Sequence, residues 1–229
     1  MKATLIFISG LAIGAGILLL WAFFQIKQDG VNLPQDFSDA NLDRLPIDGE
    51  WLVFWGGENS GQNAHHGVPA QHLALDLVIA HPDEQKTHQN KGKENEDYLC
   101  WAQPVFAAHN GKIIISVDGI PDNLSGEMNP QMVYGNTVMI QHESGYVSVY
   151  AHLKLGSVAV KTGDLVKAGD KIGVCGNSGN SSEPHLHFHV QDKAGFEQGV
   201  ASRPVFKQIY VNGIMMTNHS PVKSERIRN

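Results

Sequence analysis

Pro184-His185-Leu186-His187-Phe188-His189-Val190 alternates imidazole and apolar side chains with a period of two. That is the repeat of a β-strand, whose successive side chains point to opposite faces. On such a strand His185, His187 and His189 share one face, and Leu186, Phe188 and Val190 fill the other. A solvent-facing polar row is the ordinary reading of an alternating pair of histidines. The residues ahead of the alternation shift that balance. Gly173-Val174-Cys175-Gly176-Asn177-Ser178-Gly179-Asn180-Ser181-Ser182-Glu183-Pro184 is a turn-rich loop running straight into it, the kind of scaffold that presents side chains in a cleft.

Outward from this segment the same rhythm recurs. Short runs rich in Val, Ile and aromatic residues lie at Trp51 to Trp55, Leu73 to Ala80, Pro104 to Ala107, Lys112 to Val117, Thr137 to Gln141, Tyr146 to Leu153, Lys171 to Cys175 and His185 to Gln191. Glu143-Ser144-Gly145, and Lys161-Thr162-Gly163-Asp164 followed by Lys167-Ala168-Gly169-Asp170, are turn signals that imply antiparallel pairing. The 24 Gly and 10 Pro, and the lack of a sustained helical period between Trp51 and Met216, predict an all-β fold. His81 to Asp97 is strongly polar, has nothing to bury, and is expected to be a mobile surface loop.

A chain of 229 residues with 42% hydrophobic composition supports one well-buried domain plus an appendage. Its net charge of -6 and lack of clustered Lys and Arg argue against a nucleic-acid partner. The apolar run from Thr4 to Phe24, flanked by Lys2 and Lys27, is long enough to cross a bilayer as a helix. It ends in bulky residues and not in a small-x-small cleavage site, so an uncleaved anchor with the rest of the chain exported is expected. The expected plan is a transmembrane signal-anchor over residues 1–27, a polar stalk over 28–50, the β domain over 51–216 and a flexible tail over 217–229. Export to an oxidising compartment makes a disulfide between Cys100 and Cys175 plausible.

A single metal ion needs more than the histidine row. His72 and Asp76, in Gln71-His72-Leu73-Ala74-Leu75-Asp76-Leu77, offer an imidazole and a carboxylate, both ordinary zinc ligands. Residues four apart on a regular strand are separated by about 13 Å, so His72 must sit on a bend that folds it back toward Asp76. Without that bend, His65 or His66 becomes the better ligand. An ion held by His72, Asp76 and His187 would keep a fourth tetrahedral position for water, the open arrangement of a catalytic site. His185 and His152 are candidate acid–base groups beside it. A His-Glu-x-x-His helix is lacking, so imidazoles must do the proton work.

Several blocks in this order resemble the lysostaphin-like (LytM-type) zinc endopeptidases of peptidoglycan. They are Tyr134-Gly135-Asn136-Thr137-Val138-Met139-Ile140-Gln141-His142, Tyr150-Ala151-His152-Leu153, Val166-Lys167-Ala168-Gly169-Asp170-Lys171-Ile172-Gly173, and Gly176-Asn177-Ser178-Gly179 through His185-Leu186-His187-Phe188. The resemblance runs from about Trp51 to Val190. It implies a compact antiparallel β domain with a narrow groove over one Zn2+ held by His72, Asp76 and His187. It further implies an unliganded pair, His152 and His185, one taking the proton and the other stabilising the oxyanion; His185 is read here as the base. Peptide stems of peptidoglycan as substrate, and a place in the cell envelope outside the cytoplasm, follow from the same likeness. Some relatives are degenerate domains that bind peptidoglycan or activate amidases without cutting; lost ligands mark those, and here every ligand position is filled. Two departures stand out. His189 occupies a position where members commonly carry Glu or Gln. The segment Asn63-Ala64-His65-His66 goes, in relatives that have it, with another residue at the position of His72, which makes His65 or His66 the alternative first ligand.

Overall fold

Thirteen strands form in the computed structural model, which describes residues 37–82 and 86–229. They are β1 (Asp39–Leu42), β2 (Trp51–Trp55), β3 (Leu75–Val78), β4 (Pro104–Phe106), β5 (Gly111–Val117), β6 (Asn136–Gln141), β7 (Val147–Leu153), β8 (Leu165–Val166), β9 (Lys171–Val174), β10 (Leu186–Gln191), β11 (Ala201–Val211), β12 (Ile214–His219) and β13 (Arg226–Arg228). The helical content among the described residues is a 3-10 turn at Asn95–Asp97. The fold is therefore all-β, as the period-two alternation predicts. Apart from the parallel pair β1–β11, the paired strands run antiparallel.

The main sheet runs β1-β11-β13-β2-β3-β10-β7-β6-β5-β8, with β12 added on β11, while β4 and β9 pair separately. A further pairing of β10 with β11 closes β10, β3, β2, β13 and β11 into a circuit. Strand β10 lies at the junction, hydrogen-bonded to β3 on one side and β7 on the other. Its apolar face, Leu186, Phe188 and Val190, joins the main core, where Phe188 packs on Tyr150 with ring centroids 5.1 Å apart. Each such side chain removed from water stabilises the fold by about 1.5–3 kcal/mol. The opposite face carries His187 and His189 and is flanked by a smaller apolar cluster of Tyr134, Met139, Val147, Val149 and Ala151. These histidines are buried, not a solvent-facing row.

Three expectations are corrected. Residues 37–50 do not belong to a stalk: Asp39-Ala40-Asn41-Leu42 alternates exposed and buried as strand β1, and Leu45 and Ile47 enter the core. Residues 217–229 do not form a loose tail either. Strand β13 inserts between β2 and β11, Ile227 is buried, and Asn229 bonds Leu45 and Ile47. The third concerns Cys100 and Cys175, which are free, buried thiols; Sγ of Cys100 donates to the Pro184 carbonyl at 2.9 Å. The anchor expected over residues 1–27 lies outside the described residues. Among those described, no helix is long and apolar enough to cross a membrane.

Candidate metal centre

The site is built on the register of β3 against β10, which sets Asp76 directly opposite His187. Nδ1 of His187 lies 2.9 Å from Oδ1 of Asp76. The other carboxylate oxygen, Oδ2, is 2.9 Å from Nε2 of His65. His65, Asp76 and His187 thus offer ligand atoms within 4.8 Å of one another. Two imidazoles and a carboxylate are a donor set that suits a divalent zinc ion.

His72 is not among them. The bend required to bring it back toward Asp76 does not form; residues 57–74 run as successive turns that carry His65 inward instead. Nδ2 of the buried Asn63 donates to the carbonyls of Gly57, His72 and Ala74, and its Oδ1 accepts from the His65 backbone N–H at 3.0 Å. Asn63 therefore locks the His65 turn to the chain entering β3. The His72 ring stacks on Phe37 at 4.8 Å and lies 4.5 Å from His66, with its Nδ1 accepting from Gly67 N–H. His65 is an alternative ligand already in the sequence, whereas the role of Asn63 emerges with the fold. An Asn two residues before a His, able to form an Asx turn, is the signal that was there to find.

His152 and His185 complete the cluster. The ring of His152 is centred 4.8 Å from that of His185 and 5.7 Å from that of His187. In a regular strand His152 would face away from Ala151, the register partner of His187. A positive φ of 60° at His152 turns its ring to the site. Such a conformation costs about 1–2 kcal/mol for a residue with a Cβ. Nδ1 of His152 lies 2.8 Å from the Ser178 carbonyl, and Nδ1 of His185 lies 2.8 Å from the Glu183 carbonyl. A carbonyl can only accept, so both rings carry a proton on Nδ1; His152, kept neutral by burial, thereby presents a bare Nε2. Nε2 of His185 is 3.7 Å from Oδ1 of Asp76.

The motif blocks meet physically around Ser178. Its hydroxyl donates to Leu153 O at 2.7 Å and accepts from Asn136 N–H at 2.9 Å, while its carbonyl holds His152. Asn136 in turn bonds Ile120 and Leu153. Gly135 lies so close that a Cβ there would be 2.4 Å from Ser178 O.

Charge is distributed unevenly. Burial alone would raise the Asp76 carboxyl, but the facing imidazoles of His65 and His185 hold it well below the usual carboxylate range. Burial pushes His187 down to about 4. It also pushes His152 well below its ordinary value, reinforced by His185 and His187. For His65 burial works downward as well, yet Asp76 outweighs it and the net shift is upward.

A groove of about 300 Å³ opens over His65, Asp76, His152 and His185, bordered by Phe54, Trp55, Thr87, Met128 and the Ser181–Pro184 loop. The polar segment expected as a surface loop contributes Thr87 to the rim. Asn95 ties that segment to the Asn123 carbonyl and to Asn177.

Comparison with known proteins gives a consistent picture. The family described as Peptidase family M23 matches residues 98–201. That stretch contains His152, His185 and His187, whereas His65 and Asp76 precede it. An "Uncharacterized metalloprotease" of Buchnera aphidicola subsp. Baizongia pistaciae is 43% identical over 86 residues, 37% of this chain and 21% of the relative. Lipoprotein NlpD of Yersinia enterocolitica is 35% identical over 91 residues, 40% of this chain and 79% of the relative. Peptidoglycan DD-endopeptidase ShyA of Vibrio cholerae is 38% identical over 89 residues, 37% of this chain and 20% of the relative. The matched segments thus span about a fifth of the Buchnera and Vibrio proteins.

Proposed function

Because this chain belongs to peptidase family M23, we propose that it is a zinc-dependent endopeptidase of the bacterial cell envelope that hydrolyses peptide cross-links of peptidoglycan. The observation that carries this reading is Asp76, held ionised between His65 and His187 at the floor of a groove, with the imidazoles of His152 and His185 facing the same space. His65, Asp76 and His187 are the ligands, and His72 is not. Zinc bound there supplies Lewis acidity, polarising the scissile carbonyl and acidifying the attacking water.

The chain's own groups divide the remaining work. His185, at the rim and hydrogen-bonded through Nδ1 to Glu183 O, is the base: its Nε2 takes the proton of the attacking water and afterwards returns one to the leaving amine. His152 is held neutral by burial and keeps its only N–H on Ser178 O. It therefore accepts a hydrogen bond through Nε2 and orients the water. The oxyanion-stabilising role that the resemblance implied for it requires a donor that this tautomer does not provide. The apolar run at Thr4–Phe24 favours attachment of the domain at the envelope membrane.

The test is release of soluble muropeptides from purified sacculi. Release that o-phenanthroline stops and added zinc restores supports the proposal, and mass spectrometry of products from defined cross-linked muropeptides identifies the bond. Zinc-loaded protein that binds sacculi of several wall types yet releases nothing would show a binding module instead; His187→Ala, which lacks a ligand, is the inactive control.

A further inference from the structure

On the buried face of β10, beyond His187, a chain of hydrogen bonds runs away from the metal centre. Nε2 of His187 lies 2.9 Å from Nδ1 of His189, and Nε2 of His189 lies 3.1 Å from Oε1 of Gln191. Gln191 ends the chain on backbone: its Nε2 reaches the carbonyls of Lys193 at 2.5 Å and Gly195 at 2.7 Å. All three side chains are buried.

The direction of every bond follows from the last one. Two carbonyls can only accept, so the amide of Gln191 must turn its NH2 toward Lys193 and Gly195 and its oxygen toward His189. An oxygen opposite Nε2 of His189 requires the proton there, which leaves Nδ1 of His189 bare. A bare nitrogen opposite Nε2 of His187 requires that ring to donate, so its own Nδ1 is left as a lone pair aimed at Asp76. The result is two acceptors, Nδ1 of His187 and Oδ1 of Asp76, facing each other at 2.9 Å. Two facing acceptors at that distance repel unless a cation lies between them.

We propose that His189 and Gln191 are positioning residues that fix the tautomer of His187, committing its Nε2–H inward so that Nδ1 is delivered as the metal-binding nitrogen. The inference rests on His187 being a zinc ligand. A ligating histidine commonly gives its other N–H to a carboxylate or a backbone carbonyl. Here the partner is a second imidazole, and the backbone carbonyls of Lys193 and Gly195 enter only through Gln191. The hairpin after β10 thereby sets the chemistry of a ligand at the floor of the groove.

Two measurements on the 229-residue chain test this. Long-range proton–nitrogen NMR correlation distinguishes protonated from bare imidazole nitrogens. In the wild type His189 should carry its proton on Nε2 in both zinc-loaded and zinc-free protein, and in Gln191→Leu the two tautomers should mix. Zinc affinity, read by competition with a chromogenic chelator, should fall about 10–100-fold in His189→Phe and Gln191→Leu. His189→Asn, whose Oδ1 stands close to where Nδ1 was, should recover most of that loss, which a purely structural role for the imidazole would not allow. A wild-type His189 protonated on Nδ1, or folded His189→Phe binding zinc within about twofold of wild type, overturns the proposal. A wild type that binds no zinc would instead remove the metal assignment itself, and the tautomer of His189 would still decide whether the relay exists.

Discussion

Asp76 and His187 are direct register partners across β3 and β10, brought 2.9 Å apart although 111 residues separate them in the chain. One oxygen of Asp76 serves His187 and the other serves His65, so the carboxylate joins a rigid sheet to a turn fixed by Asn63. This sharing separates His65 from His72. His65→Ala should abolish stoichiometric zinc and lower hydrolysis by about 10³-fold, the several kcal/mol that a lost metal ion represents. His72→Ala should keep one zinc per chain and most of the activity. Atomic absorption of the two purified variants decides; loss of zinc from His72→Ala with retention in His65→Ala would reverse the assignment.

His152 and His185 hold no metal in this reading, so their removal should split binding from chemistry. His185→Ala is expected to retain zinc and sacculus binding while kcat drops about 10²–10⁴-fold, the usual contribution of a general base. His152→Ala should likewise keep its zinc, with a smaller fall in kcat. Full activity in His185→Ala would remove it from the proton path.

Gly135 tests how tightly the motif blocks are packed. With φ at 59° and a prospective Cβ 2.4 Å from Ser178 O, Gly135→Ala combines left-handed strain with a backbone clash. Together these should lower unfolding free energy by about 2–5 kcal/mol and displace Ser178 from His152. Gly145→Ala, at φ 92° with open space around it, should show only the strain, about 1–2 kcal/mol. Urea unfolding of both variants gives the comparison, and equal losses would refute the close contact.

Burial holds His72, His142, His152, His187 and His189 below their ordinary value of 6.5. The unfolded chain therefore binds protons that the native chain refuses. Each group contributes stability fully present above 6.5 and lost as pH falls toward its folded value; for His187, moved from 6.5 to about 4, this is about 3 kcal/mol. His65, raised by Asp76 against burial, has the opposite sign: its contribution is present below 6.5 and lost as pH rises. With five groups against one, zinc-free protein should lose stability between about pH 7 and about pH 5. His142→Asn, remote from the centre, should show a shallower slope. A flat profile by urea titration would contradict the buried neutral state.

Much of the fold was legible because burial on one face leaves a period-two trace: β2, β5, β6, β7 and β10 lie where Val, Ile and aromatic alternation placed strands. The match of peptidase family M23 over residues 98–201 likewise agrees with the motif blocks from Tyr134 to Phe188. Strands β1, β11, β12 and β13 left weaker traces. Asp39–Leu42 is short, β11 carries Arg203, Pro204, Lys207 and Gln208, and β13 is flanked by charge. Strands β1 and β13 take their hydrogen bonds from partners far along the chain, which no local pattern records, whereas β12 folds back on β11 across the two-residue turn Asn212-Gly213, a local hairpin signal.

The sequence by itself determined that an imidazole row lies on one face of β10, and that Asp76, His187, His152 and His185 were the groups to watch. Only the tertiary structure decided which histidine joins Asp76, that His152 and His185 carry their protons on Nδ1, and that His189 backs His187. The physical reason is that strand periodicity is a property of neighbours along the chain. Ligand identity and tautomer depend on distances between segments brought together by sheet register, on a positive φ at His152 and on the three bonds of one Asn63 amide.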